Sequence, residues 1–165
     1  MFRTVRTVWT DHVDWRSDKG FEEAVRDLAA ELGKAGAQAL MDRLARDADW
    51  DELAAQCATL GGRGGLVEFG RVDWGRLAAP SGAPLRARCF IIGDPLGAQK
   101  LLAAGGAALG LYLPGRILVF EAPDGEVHVA YDRLPLMAPP GQDRLSAVAA
   151  AIDALMDRLA QAAAG

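Results

Sequence analysis

Few residues in this chain combine the type and the spacing that acid–base or metal chemistry requires. The two histidines, His12 and His128, lie far apart, and neither belongs to a C-x-x-C or H-x-x-x-H arrangement. Because zinc sites draw on closely spaced His and Cys ligands, the sequence predicts no metal site. Asp11 and Asp14 flank His12 and could orient its imidazole, but we interpret this stretch as a solvated acidic loop that follows a strand.

The second histidine and the two cysteines also favour structural roles. His128 lies between Val127 and Val129 in a predicted strand, so its side chain points to the opposite face, which we expect to meet solvent. Cys89 lies in an apolar strand, where a cysteine packs as a small hydrophobe, and a reactive thiol would need a nearby cation or helix N-terminus. Two cysteines do not make a disulfide framework, so we interpret Cys57 and Cys89 as free thiols. The catalytic residues, if any, are unknown.

Glycine is frequent, but no segment matches the G-x-x-x-x-G-K-[ST] or G-x-G-x-x-G patterns that hold nucleotide phosphates. The helix predicted after Gly93 would offer free backbone N–H groups to an anion. Asp94 at its cap would compete for those donors and repel the anion. The sequence therefore predicts no nucleotide site and no cofactor.

Length and charge narrow the classes of function further. A chain of 165 residues fits one domain with a sizeable core. The net charge of −4, with arginines scattered among acids, lacks the basic surface that binds nucleic acid. The longest uncharged run, 101–115, is shorter than the roughly 20 apolar residues of a membrane span. With no secretory apolar stretch, we expect a cytoplasmic protein that binds neither nucleic acid nor membrane.

Hydrophobic patterns predict the elements that would position these residues. Val, Thr and aromatic residues predict a first strand over residues 2–9. Ser17 or Asp18 would cap a helix that ends at Gly33. The apolar face of this helix consists of Phe21, Val25, Leu28 and Leu32.

Two helical patterns follow within residues 36–60, and Asp49 with Glu52 marks the start of the second as a capping box. Glycines at four of the five positions 61–65 predict a loop. Strands are then predicted over 66–72 and 85–92. A helix capped by Asp94, with Pro95 in its first position, would run to about residue 104.

The last third of the chain carries a hairpin and a helix. Pro123, Asp124 and Gly125 predict a turn between strands 117–122 and 126–131. The tail from Asp143 has one apolar stripe and is predicted to be an amphipathic helix. Paired strands interrupted by helices predict an α+β fold, with an antiparallel sheet of about five strands and helices packed on it.

Three segments in order carry a family resemblance: CFIIGDPLGAQKLL (89–102), GLYLPGRILVFE (110–121) and DGEVHVAY (124–131). They resemble the domain-of-unknown-function 302 family, in which a strand ends in Gly-Asn-Pro before a helix, a proline turn and a strand hairpin. The resemblance implies one α+β domain over residues 1–165, with a helical insertion at about 34–62 and a C-terminal helix at about 143–163. It implies no catalytic residues.

This sequence departs from the family pattern at Asp94, Tyr112 and Gly115, where the family has Asn, Asp and an apolar residue. Arg116 keeps a basic residue where the family often has Lys. We therefore place a hypothetical ligand site in a cleft between 93–97 and 113–116. Its residues are Gly93, Asp94, Pro95, Gly97, Leu113, Pro114 and Arg116.

Two classes of function stay open. The absence of a catalytic constellation favours a non-catalytic accessory module that binds a small molecule or a protein partner. The alternative is a small enzyme with a site near Asp94 and Arg116, assisted by Cys89 or Tyr131, which would require perturbed ionisation in one pocket. The tail helix is expected to pack on its own sheet, although its stripe would also suit a homodimer.

Overall fold

The computed structural model describes residues 7–33, 49–63, 65–134 and 143–165, together with the single positions 3, 5, 38, 40, 42 and 46. The strands in this part of the chain are β1 (His12–Ser17), β2 (Val67–Asp73), β3 (Ala87–Gly93), β4 (Gly115–Glu121) and β5 (Val127–Asp132). The α-helices are α1 (Phe21–Glu31), α2 (Trp50–Leu60), α3 (Trp74–Ala78), α4 (Pro95–Gly105) and α5 (Asp143–Ala164). Short 3-10 helices span Ala79–Ser81 and Ala107–Tyr112.

All five strands form one antiparallel sheet in the order β1-β5-β4-β3-β2. The predicted α+β fold is therefore confirmed. The β4–β5 hairpin turns as its residues require, since Gly125 has a φ of 88° and the Asp124 carboxylate accepts a hydrogen bond from the Glu126 N–H at 3.0 Å. None of the helices in the described ranges is long and apolar enough to span a membrane.

One face of the sheet carries the main core. The apolar stripe of α1 packs against it, and Leu28 is completely buried there. The C-terminal half of α5 covers the neighbouring strands, so the tail helix packs on its own domain as predicted. The sheet contributes Phe90, Ile92, Ile117, Val119, Val127, Val129 and Tyr131.

A second, smaller cluster lies where α4 and the following 3-10 helix meet the N-terminal half of α5. Leu101, Leu109, Leu145 and Ala149 are buried in it. Because α5 takes part in both clusters, it connects the helix after β3 with the sheet.

The helices begin largely where their cap residues predict. The Asp49 carboxylate accepts hydrogen bonds from the N–H groups of Asp51 and Glu52 at the start of α2. The Asp94 carboxylate caps α4 in the same way. The helical pattern that begins at residue 36 lies largely outside the described residues, and α2 is the second of the two.

The cap predicted for α1 is wrong. Gly20 occupies the cap position and gives no side-chain hydrogen bond. Ser17 instead donates its hydroxyl to the Ala164 carbonyl at 2.8 Å and accepts from the Lys19 N–H at 3.0 Å. The hydroxyl therefore ties the end of β1 to the end of α5.

The first strand also lies further along the chain than predicted. The described residues between 3 and 10 are not in a strand, and β1 begins at His12. His12 is therefore part of the sheet and not of an acidic loop. The segment is polar at every second position because His12, Asp14 and Arg16 lie on the sheet face away from α1 and α5.

Candidate functional site

The second face of the sheet, which we call the open face, is the most distinctive surface of the domain. Alternation along the strands and the cross-strand register assign its residues. None of their side chains belongs to either apolar cluster of the described residues. From β1 to β3 the open face consists of His12, Asp14, Arg16, His128, Ala130, Asp132, Arg116, Leu118, Phe120, Ala87, Cys89 and Ile91.

The centre of the open face is apolar. Leu118 on the central strand and Ile91 beside it on β3 are both half-buried. The register of β2 shifts between Glu68 and Gly70, and the bulge brings the half-buried Phe69 against Gly93: a Cβ on that glycine would lie 3.3 Å from Phe69 Cε2. A band of partly exposed apolar side chains therefore crosses the sheet from β2 to β4.

Arg116 is a charged residue on the central strand, at one end of this face. It is exposed on β4 opposite Ile91. Its guanidinium forms no hydrogen bond or ion pair with any residue in the described ranges, whereas the carboxylate of Asp132 on the next strand is held by His12 at 2.7 Å. An unpaired guanidinium next to apolar side chains can bind a carboxylate or phosphate in a fork of two hydrogen bonds.

Both histidines lie on the open face, and each is paired with an aspartate. Nδ1 of His12 is 2.7 Å from Oδ1 of Asp132, and Nδ1 of His128 is 3.0 Å from Oδ1 of Asp14. The His128 ring also stacks on Phe120, with the ring centroids 5.0 Å apart. Each pair joins β1 to β5, so these imidazoles connect the edge strand to the sheet.

The predicted site residues divide into two groups. Gly93 and Pro114 adjoin on neighbouring strand ends, since a Cβ on the glycine would lie 3.5 Å from the Pro114 Cβ. Leu113 precedes Pro114 through a cis peptide bond and packs against the smaller apolar cluster. With Arg116 on the same β4 segment, these residues line one end of the open face.

Asp94, Pro95 and Gly97 form the start of α4. The Asp94 Oδ1 accepts a hydrogen bond from the Leu96 N–H at 3.0 Å. Gly97 is buried next to this carboxylate. A Cβ at Gly97 would lie 2.6 Å from the other carboxylate oxygen, Oδ2. These three residues hold the helix start in place, and the Asp94 carboxylate is engaged in the cap.

The thiols and the buried phenol are not activated. Burial raises the pKa of Cys89, and the nearby Arg116 only partly opposes the shift. Burial also raises the pKa of Cys57, and the Asp94 carboxylate adds to the effect. Burial, together with the hydrogen bond to Asp157, raises the pKa of Tyr131 to about 12. All three groups stay protonated near neutral pH, so none is a ready nucleophile or base.

A polar cavity of about 560 Å³ opens between the end of β1, the start of α1 and the β4–β5 turn. Its cationic groups are already paired. Arg16 contacts Glu126 at 2.6 Å, and Arg86 contacts Glu121 at 2.7 Å. Within the described part of the chain, no group of three or more His, Cys, Asp or Glu residues could hold a metal ion.

Comparison with protein families assigns residues 42–163 to the domain of unknown function DUF302. The chain belongs to the DUF302 family. This match includes the elements from α2 onward, and therefore every predicted site residue from Gly93 to Arg116, but not β1 or α1. The resemblance found in the sequence is confirmed. No curated protein matches the chain.

A DUF302 relative has the same fold. The crystal structure of an uncharacterized conserved DUF302 protein from Bacillus stearothermophilus aligns with a TM-score of 0.61, covering 92% of this chain and 97% of that one. The two sequences are 13% identical. At this identity the similarity supports the fold alone. The open face and Arg116 are therefore read from this chain's own residues.

Little in the sequence indicates the open face itself. Alternation in β4 separates Ile117 and Val119 from Leu118 and Phe120, yet all four are apolar. Such a strand resembles one that is covered on both sides. Only the register across the strands shows that Leu118 and Phe120 share a face with Arg116.

Proposed function

We propose that this DUF302 protein is a non-catalytic binding module that holds a small molecule or a protein partner on the open face beside Arg116. The observation that carries the proposal is the exposed guanidinium of Arg116, which has no partner among the described residues and adjoins the apolar side chains at the centre of the open face. Such a surface suits a ligand with an anionic group and an apolar body.

The contribution of each part follows from its chemistry. A charge-assisted hydrogen bond from Arg116 would contribute about 1.5–3 kcal/mol. Ile91 and Leu118 would bury apolar ligand surface at about 25 cal/mol per Å². Gly93 and Pro114 would leave room for the ligand at the end of the face. Asp94, Pro95, Gly97 and Leu113 would hold that end rigid.

The enzymatic alternative, with a site near Asp94 and Arg116, has less support. Acid–base catalysis needs a group whose pKa lies near the working pH. The Asp94 carboxylate is engaged as a helix cap, and the pKa values of Cys89 and Tyr131 are shifted upward, away from neutrality. The binding module is therefore our preferred function.

Setting and assembly complete the proposal. We place the protein in the cytoplasm, because both of its cysteines are free and buried. No nucleic acid partner is expected from a net charge of −4. We further propose that the chain self-associates as a homodimer. The apolar stripe of α5 is already covered by the domain, so another surface would have to supply the contact.

Native mass spectrometry of the protein purified from its own host tests the binding function. We expect a reproducible small-molecule adduct that Arg116→Ala removes and Arg158→Ala retains, since Arg158 is another exposed arginine without an ion pair among the described residues.

A fluorescent naphthalene sulfonate provides a second probe that needs no native ligand. Its binding should weaken by about tenfold or more in Arg116→Ala, the equivalent of losing roughly 1.4 kcal/mol. Equal binding to the wild type and to both variants would place the ligand elsewhere.

A further inference from the structure

The outer edge of β1 carries a row of backbone N–H and C=O groups that pair with no other strand among the described residues. In the pairing of β1 with β5, the Arg133 N–H donates to the Asp11 carbonyl at 2.9 Å, which makes these two residues a hydrogen-bonded pair. Hydrogen-bonded pairs alternate along an antiparallel ladder. The odd-numbered residues of β1 therefore bond to β5, and His12, Asp14 and Arg16 direct their N–H and C=O groups away from the sheet. No strand in the described residues pairs with that side.

We propose that a second copy of this chain pairs with β1 along this edge, so that two five-stranded sheets join into one of ten strands. The proposal rests on the self-association proposed above and names the surface that forms it. A two-fold axis makes the contact antiparallel, so each β1 meets its own sequence in reverse.

Charge selects one register. Hydrogen bonds between the two copies require that residues with outward N–H and C=O groups lie opposite each other. Because these are the even-numbered residues, the two-fold axis must lie at one residue position and not between two. An axis at Asp14 would oppose two carboxylates, and an axis at Arg16 would oppose two guanidinium groups. An axis at Trp15 places Asp14 of each copy opposite Arg16 of the other. An axis at Val13 keeps only three strand residues of each copy in the pairing.

The register centred on Trp15 also suits the other face. Trp15 is half-buried against the main core, and the two indoles would meet at the axis, where aromatic cross-strand pairs stabilise a sheet. On the open face, Asp14 already contacts His128 at 3.0 Å and Arg16 contacts Glu126 at 2.6 Å. The Asp14–Arg16 contacts between copies would connect these pairs into a row of alternating charge.

Charged side chains on an edge strand normally discourage pairing with another chain. That effect depends on the charges that meet. Here Asp14 and Arg16 lie on either side of Trp15. They oppose like charges when the axis is at Asp14 or Arg16, and they oppose unlike charges when the axis is at Trp15.

Light scattering after size-exclusion chromatography, across a range of protein concentrations, tests the proposal. The wild type should be a dimer. Asp14→Pro removes an outward N–H in each copy but no hydrogen bond to β5, so it should weaken dimerisation by about 30-fold or more. Asp14→Ala is the matched control: it loses the same carboxylate but keeps the N–H, and should weaken dimerisation less than Asp14→Pro.

Each outcome has a distinct meaning. A wild type that stays monomeric at high concentration refutes self-association, and this surface with it, while leaving the ligand proposal at Arg116 intact. A dimer that survives Asp14→Pro refutes this surface alone. Amide hydrogen exchange of the wild type needs no variant: the Asp14 and Arg16 amides should become protected as the protein concentration rises, and unprotected amides in a dimer would also overturn the assignment.

Discussion

Gly33 marks the joint between the end of α1, the glycine-rich loop and β2, and replacing it with alanine should destabilise the protein. Its N–H donates to the Leu66 carbonyl at 3.0 Å, and its carbonyl accepts from the Glu68 N–H at 2.9 Å. The Gly62 N–H donates to the same Leu66 carbonyl at 3.1 Å. A Cβ at Gly33 would lie only 1.7 Å from the Leu60 carbonyl oxygen.

The cost follows from this geometry. Carbon and oxygen atoms rarely approach closer than about 3.3 Å, so the Leu60 carbonyl or Gly33 must move by about 1.6 Å. Backbone groups cannot rotate away as a side chain can, and a shift of this size breaks the three hydrogen bonds that join Gly33 and Gly62 to Leu66 and Glu68. At about 1 kcal/mol each, Gly33→Ala should lose about 3 kcal/mol of unfolding free energy.

Urea unfolding followed by circular dichroism measures this loss. With a denaturant slope of about 2 kcal/mol per M, the midpoint should fall by about 1.5 M. Gly70→Ala is the matched control, because its Cβ would meet only the Ile91 side chain at 3.9 Å; it should stay within about 0.5 kcal/mol of the wild type. The reasoning fails if Gly33→Ala lowers the midpoint by less than about 0.5 M, or if both variants lose equal stability.

Substitutions at three further positions probe two helix starts and a half-buried acid. Asp94→Ala should lower stability by about 1 kcal/mol in thermal unfolding, and Asp94→Asn should restore most of it, since an amide oxygen also caps a helix. Gly20→Ser should raise the melting temperature by about 1 °C by adding the missing side-chain cap of α1; no change would mean that Ser cannot reach the helix N–H groups. Burial raises the pKa of Asp153 in the folded state, so ionising this group costs stability as pH rises through that pKa. The unfolding free energy of Asp153→Asn should therefore increase relative to that of the wild type as the pH rises from acidic to neutral. A difference between the two proteins that does not change with pH would exclude this cause.

Local signals allowed prediction of the elements whose residues specify their own backbone. The β4–β5 turn and the start of α4 depend on neighbouring residues, namely Gly125 with Asp124 and Pro95 with Asp94, and both were correct. The predicted position of the first strand was wrong because residues 2–9 have the stronger β propensity, whereas β1 alternates between half-buried and exposed residues. One face of β1 packs towards the core and the other lies on the open face. This arrangement depends on the pairing of β1 with β5, which is more than a hundred residues away.

The candidate site was predictable only in part. Family resemblance and turn chemistry pointed to the segment from Gly93 to Arg116, and the structure places Gly93 beside Pro114. The role of Ile91, Leu118 and Phe69 could not be anticipated, because it depends on the cross-strand register and on a bulge in β2. Neither feature can be recognised from the sequence of one strand alone.

The strand order also sets the sequence in which a growing chain can complete this domain. β3, β4 and β5 each pair with the strand that precedes them, so β2 to β5 can form a meander as each strand emerges from the ribosome. β1 has no such partner: His12 pairs with Asp132, a separation of 120 residues. At about 5–20 residues per second, β1 must wait about 6–24 s for β5, with the apolar stripe of α1 uncovered. Nascent-chain chaperones would therefore meet the first strand and helix of this domain longer than any other part of the sheet.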